Sequence, residues 1–209
     1  MSTPPPKLRV AVLLSGSGTS LENLFDQIDR GLPAEVVAVI ASKERAYGLE
    51  RARQRGIPAI AVSRKKLPEI DAFNDALHNE LSRFEVDLVA LLGFMSLFQL
   101  RGKYEDRVIN VHPALIPAFS GPGFYGARVH EAVLAKGAKV SGATVHFTDE
   151  EYDHGPIVAQ EAVPVLESDT VESLAARVQA AERRLVPAAI RSIAEGRVEI
   201  VDGRTRITP

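Results

Sequence analysis

The chain of 209 residues is a length that one α/β domain can use in full, and its 45% apolar, 25% charged and 6% aromatic make-up is that of an ordinary globular protein. Without a cysteine it has no disulfide, thiolate nucleophile, iron-sulfur cluster or cysteine-bound zinc. Its 25 basic and 27 acidic residues are interspersed and sum to −2, which argues against nucleic acid as a partner, and no run of 18 apolar residues offers a membrane span.

A single domain over 1–209 is expected, with residues 1–6 as a disordered lead that lacks the apolar core of a signal peptide, so a cytoplasmic protein is expected. From Leu8 to Leu14, LRVAVLL is apolar and β-branched and too short for a helix, which predicts a buried strand. It stops at SGSGTS, after which Leu21, Leu24, Phe25 and Ile28 follow helical spacing, with Thr19 or Ser20 as N-cap and Gly31 and Pro33 closing the helix. The unit repeats: a strand at Val36–Ala41, a helix at Tyr47–Gln54, a strand at Ala59–Val62, an amphipathic helix over 70–83, and apolar runs at Val86–Leu92 and Arg107–Val111. Such alternation predicts a parallel sheet covered by helices. Residues 113–127 carry prolines and glycines without a period and read as an ordered but mobile loop before a helix near Val129–Lys136. Val140–Phe147 and Ile157–Val165 then read as an antiparallel pair, followed by a long helix from about Thr170 and a short last strand at Val198–Val201.

The loop Ser15–Ser20 lies where backbone amides and hydroxyls meet the positive end of a helix dipole, which suits an anion, although a plain strand-to-helix turn would read the same way. It is no dinucleotide fingerprint, since Leu21 stands where the third glycine would be, and it lacks the Lys-Ser/Thr pair of a P-loop. A formal GxGxxG at Gly121, Gly123 and Gly126 follows no strand and is set aside. In Val108–Pro113 a strand delivers Asn110 and His112 two residues apart, on one face, as a pair of donors for an oxygen that becomes negative in a reaction. Asp153 is a candidate partner that would raise the pKa of His112, and Asp149, Glu150 and Glu151 can claim the same role. The other histidines, His78, His130, His146 and His154, show no HExxH or comparable spacing, so no metal is expected.

Taken together, LLSGSGTSL, ALLGFM, INVHPALIPAF, GATVHFTDEEYDHGPIVAQ and VQAAERRLVP resemble the folate-dependent formyltransferases, and within them the purine-synthesis branch, along nearly the whole chain. The resemblance implies an α/β, Rossmann-like formyltransferase fold with a mostly parallel central sheet, antiparallel C-terminal strands and helices on both faces. It also implies formyl transfer from the co-substrate 10-formyltetrahydrofolate, without a metal, to the amine of glycinamide ribonucleotide. Carried onto this chain, it assigns the substrate phosphate to Gly16, Ser17, Gly18, Thr19 and Ser20, and the folate pocket to Met95, Ser96, Leu97, Phe98 and Asn110. Asn110, His112 and Asp153 become a catalytic trio, and Glu182 a residue near the substrate amine. Small molecules are then the partners, with monomer and homodimer both open. One departure is Ser96-Leu97-Phe98, where relatives often carry Arg-Ile-Leu. Two rivals stand beside this reading. A 10-formyltetrahydrofolate hydrolase gives the formyl group to water, but normally has an extra N-terminal regulatory domain and a second histidine where Pro113 stands. A nucleotide-binding regulator without catalysis is favoured if the trio does not meet.

Overall fold

Alternating strands and helices run through residues 6 to 208, the part of the chain described by the computed structural model; residues 1 to 5 of the expected lead lie outside it. The chain divides into two units, Met1–Val108 and Ile109–Pro209.

In the first unit the elements are β1 (Leu8–Leu14), α1 (Thr19–Asp29), β2 (Ala34–Ala41), α2 (Tyr47–Gln54), β3 (Ala59–Ala61), α3 (Ile70–Leu81) and β4 (Leu88–Leu91). The strands are parallel in the order β3-β2-β1-β4. Val10 to Leu14 are each 0% exposed. Successive side chains of a strand point to opposite faces, so β1 is covered on both, which is why its sequence is a continuous apolar run. On α3, Phe73, Leu77 and Leu81 recur at helical spacing and pack with Leu13, Ile40, Val89 and Leu91 in one cluster. Each such burial contributes about 1.5–3 kcal/mol over leaving the side chain in water. The helix ends at Leu81, short of residue 83, because the chain tightens into a turn in which the Phe84 amide bonds the Leu81 carbonyl.

Two features of this unit position functional segments. Helix α1 is capped by neither Thr19 nor Ser20: its N-cap is Gly18, in the left-handed region at φ 72°, with no side-chain cap. Glycine is required there, because a Cβ would also lie 2.7 Å from the Cα of Gly48 on α2. The segment after β4 is strapped to α3 by Asn74, whose amide donates to the carbonyls of Ile70 (3.0 Å) and Leu97 (3.2 Å) while its Oδ1 accepts the Gln99 amide (2.9 Å). His78 adds a bond to the Gln99 carbonyl at 2.7 Å and stacks on Phe98.

The second unit begins within β5 (Val108–His112) and continues with α4 (Ala127–Lys136), β6 (Val140–Phe147), β7 (Ile157–Pro164), α5 (Val171–Ala194), β8 (Val198–Val201) and β9 (Arg204–Ile207). Strand β6 runs antiparallel to both β5 and β7, as expected for its pairing with β7. Gly142 lets β6 lie close to β7, since a Cβ there would be 2.2 Å from the Glu161 carbonyl oxygen. Helix α5 starts in a capping box of Thr170 and Ser173 and packs on β6 and β7. Before it, Asp169 accepts from the Arg177 guanidinium, the Leu166 amide and the Ser173 hydroxyl, which together hold its carboxyl far below the usual range. The fold does not end at β8: Asp202 (φ 51°) and Gly203 (φ 70°) turn the chain into β9, which pairs with β8. The α/β class and its succession of parallel strands followed by antiparallel ones hold. Among the described residues no helix is long and apolar enough to cross a membrane.

Candidate active site

The strand β5 carries Asn110 and His112 on one face, and its antiparallel register sets Asn110 opposite His146 and His112 opposite Thr144 of β6. Thr144 fixes the chain that leaves β5: its hydroxyl donates to the Ala114 carbonyl (2.7 Å) and accepts from the Ile116 amide (3.1 Å). From the turn after β6, Asp153 reaches back at φ 55°, a conformation aspartate tolerates better than most residues. The three groups meet. Asp153 Oδ2 lies 3.3 Å from His112 Nδ1, and its Oδ1 accepts from Asn110 Nδ2 at 3.4 Å. Asp149, Glu150 and Glu151 do not share this place: Asp149 instead binds the exposed His154 at 2.6 Å and the Glu151 amide at 2.9 Å.

Three further groups complete the cluster. His146 Nδ1 faces the Phe147 carbonyl at 2.8 Å, which can only accept, so Nδ1 carries the proton and Nε2 accepts from Asn110 Nδ2 at 3.2 Å. Both Asn110 amide hydrogens are thus engaged, one of them weakly. The Gly121 amide donates to Asp153 Oδ2 at 3.0 Å, and the Phe119 carbonyl accepts from His112 Nε2 at 2.8 Å. The GxGxxG segment therefore supplies a backbone donor to this cluster, and a Cβ at any of its three glycines would meet open space. What these positions need is positive φ, 90° at Gly121 and 93° at Gly123.

The electrostatics correct one expectation. Burial pushes the imidazolium of His112 down, and this outweighs the opposing pull of the Asp153 charge and the Phe119 carbonyl, so the net shift is downward and not upward. The ring is only 3% exposed. It is nevertheless bracketed by two acceptors, and one neutral imidazole can satisfy only one of them. Burial also disfavours the charged form of Asp153, but the nearby His146 and His112 rings and the Gly121 amide outweigh it and hold the carboxyl below its usual value. His130 on α4 is buried with Nδ1 unpartnered, and burial, then His112, push its imidazolium down.

Gly16 to Ser20 run from the turn after β1 into the first residues of α1, whose first-turn amides have no helical carbonyl to bond. In the segment after β4, Met95 is 51% exposed and its amide donates to Ser15 Oγ at 2.9 Å; Ser96 and Leu97 are half-buried. Phe98 is 2% exposed, its ring stacked on His78 and edge-on to Tyr104 in the core.

Glu182 stands on α5, largely buried, and burial pushes its carboxyl up to about 7 against a weaker pull from Arg183. An acid whose folded pKa exceeds its ordinary 4.5 holds an extra proton in the native state, so stability falls as pH rises from about 4.5 to about 7. Glu182→Gln removes that slope. Without ligand, the unfolding curves of the two proteins should coincide below pH 4.5 and separate above pH 7, the variant being more stable by up to about 3 kcal/mol. Among the described residues no group of histidines and carboxylates could hold a metal ion.

A family profile described as formyl transferase matches residues 8–190. The chain is 41% identical over 197 residues to the trifunctional purine biosynthetic protein adenosine-3 of Gallus gallus, an alignment covering 93% of the chain but 19% of that relative's length. It is 34% identical to phosphoribosylglycinamide formyltransferase of Haemophilus influenzae, over 93% of the chain and 91% of that protein. In structure it resembles glycinamide ribonucleotide transformylase 1 from Symbiobacterium toebii, with a TM-score of 0.92 and 42% identity over 100% of this chain and 98% of the other.

Proposed function

The chain belongs to the formyl transferase family, and on that premise we propose that it carries the formyl group of 10-formyltetrahydrofolate to the amine of glycinamide ribonucleotide. The products are formylglycinamide ribonucleotide and tetrahydrofolate, a step of purine synthesis in the cytoplasm. The observation that carries this reading is the meeting of Asn110, His112 and Asp153, two donors and a carboxylate, in one cluster.

The substrate amine attacks the formyl carbon, the carbon–nitrogen bond to the folate breaks, and the proton lost by the amine ends on the departing nitrogen. Asn110 exchanges its weak 3.4 Å bond to Asp153 for one to the oxygen that becomes negative. The growing charge on that oxygen also reverses the balance at His112: the imidazolium becomes favourable, with Nδ1 donating to Asp153 while Nε2 exchanges the Phe119 carbonyl for the oxyanion. Asp153 stays ionised throughout and pairs with the imidazolium, while water passes the proton from Glu182 to the departing nitrogen. Glu182, with a carboxyl pushed up to about 7, is a base of suitable strength to hold and deprotonate the amine. Gly16 to Ser20 take the substrate phosphate on unpaired amides, and Met95 to Leu97 hold the folate through backbone groups. Phe98 serves by packing.

The test follows deformylated folate with and without glycinamide ribonucleotide. Product only in the presence of the amine is the expected result. Equal release without it would make the chain a hydrolase, and no turnover would overturn the reading.

A further inference from the structure

We propose that Arg51, with Glu22, is the positioning residue that gives the loop Gly16–Ser20 its preference for a phosphorylated acceptor. The inference rests on the phosphate reading of that loop and adds the device that shapes it.

Helix α2 braces the loop at three points. The Gly48 amide donates to the Gly16 carbonyl at 3.2 Å, the backbones of Gly18 and Gly48 touch, and Arg51 Nε donates to the Ser17 carbonyl at 3.0 Å. Two consecutive carbonyls of the loop are therefore drawn toward α2. In a trans peptide the N–H points opposite to the C=O of the same unit. The amides of Ser17 and Gly18 are thus turned away from α2. Successive N–H groups turned to one side form a concavity suited to an anion. The adjoining first turn of α1 adds its own unpaired donors.

Of the three braces, two are backbone contacts that any sequence with glycine at 18 and 48 can make. The third depends on one side chain. Arg51 holds the Ser17 carbonyl only because its guanidinium is itself held: Nη1 donates to Glu22 Oε2 at 2.6 Å, and the group lies 5.1 Å from the centre of the Tyr47 ring. A fixed fork can satisfy a carbonyl and a carboxylate together, which an ammonium at the end of a lysine cannot do in the same geometry. Without it the Ser17–Gly18 peptide is free to rotate, and its carbonyl can turn toward the ligand, replacing a donor by a repelling dipole.

The experiment compares formyl transfer to glycinamide ribonucleotide and to its dephosphorylated form in the wild type, Arg51→Met, Arg51→Lys and Glu22→Gln, with thermal melting of each. In Arg51→Met the KM for the phosphorylated acceptor should rise about tenfold, kcat should change by less than about threefold, and the preference for the phosphorylated acceptor should shrink about tenfold. Arg51→Lys should recover only part of this. Glu22→Gln, which keeps the guanidinium and its packing, should raise KM by about threefold. Equal losses on both acceptors, or a lowered melting point with the preference intact, would show Arg51 to be a structural residue and overturn the inference. A wild type that transfers formyl groups but does not distinguish the two acceptors would instead remove the phosphate reading beneath it.

Discussion

Replacing His112 by alanine is expected to lower kcat for formyl transfer by about 10²–10³, and Asn110→Ala by a similar factor, because each removes one donor aimed at the developing oxyanion. The fold should survive both changes, since the side chains bond groups of the site and not the apolar core. Asp153→Asn is the sharpest member of the series. At φ 55° asparagine is at least as comfortable as aspartate, so the backbone of the turn keeps its shape while the charge and one of the two acceptor oxygens are lost. It should therefore also cost kcat heavily with little change in melting temperature. Near-normal turnover in His112→Ala, measured at saturating substrates, would remove the trio from the mechanism.

The pH profile adds a second reading of the same residue. His112 in the free protein lies below its ordinary value of 6.5 because burial dominates. The native state then binds fewer protons than the unfolded chain just below pH 6.5, so the stability contributed by this ring rises with pH there and declines in acid. His112→Gln should flatten that part of the unfolding profile.

Gly155→Ala should be nearly as damaging to turnover as loss of the trio, and unlike those changes should also destabilise the protein, by about 2–3 kcal/mol. A Cβ at this position would lie 2.1 Å from the Phe147 carbonyl oxygen and 3.0 Å from its carbon. Both are backbone atoms of a paired strand, so relief has to come from the turn that holds residue 155, and Asp153 lies two residues back in that turn. Displacing it lengthens a contact to His112 that is 3.3 Å in the native structure. Measured together, a fall in both melting temperature and kcat is the expected outcome; an unchanged kcat would mean that the turn relaxes without moving the carboxylate.

Much of this architecture was legible because its signals are local. The apolar run of β1, the helical spacing from Leu21, the spacing of Asn110 and His112, and the polar break between β6 and β7 each depend on a few neighbouring residues. What escaped depends on register or depth. Only the pairing of β5 with β6 reveals that His146 stands opposite Asn110. Only the course of the turn separates Asp153 from Asp149, Glu150 and Glu151. The direction of the shift at His112 follows from how deeply the ring is buried, which no spacing records, and Phe98 faces the core for the same unreadable reason. By contrast the hairpin of β8 and β9 has a local signal in Asp202-Gly203, a pair suited to a two-residue turn.

The hydroxyl of Ser15 has a practical meaning for anyone redesigning this protein. That one oxygen accepts the Met95 amide at 2.9 Å and shares a 2.6 Å bond with Ser42 Oγ, while the Ser15 amide donates to the Gly93 carbonyl at 3.0 Å. Three chain segments that leave the ends of β1, β2 and β4 are pinned at this point. A graft meant to exchange the acceptor loop for another should accordingly be spliced after residue 15, so that the inserted piece inherits the anchor. Spliced one residue earlier without a serine, it would disturb the neighbouring segment it was never intended to touch.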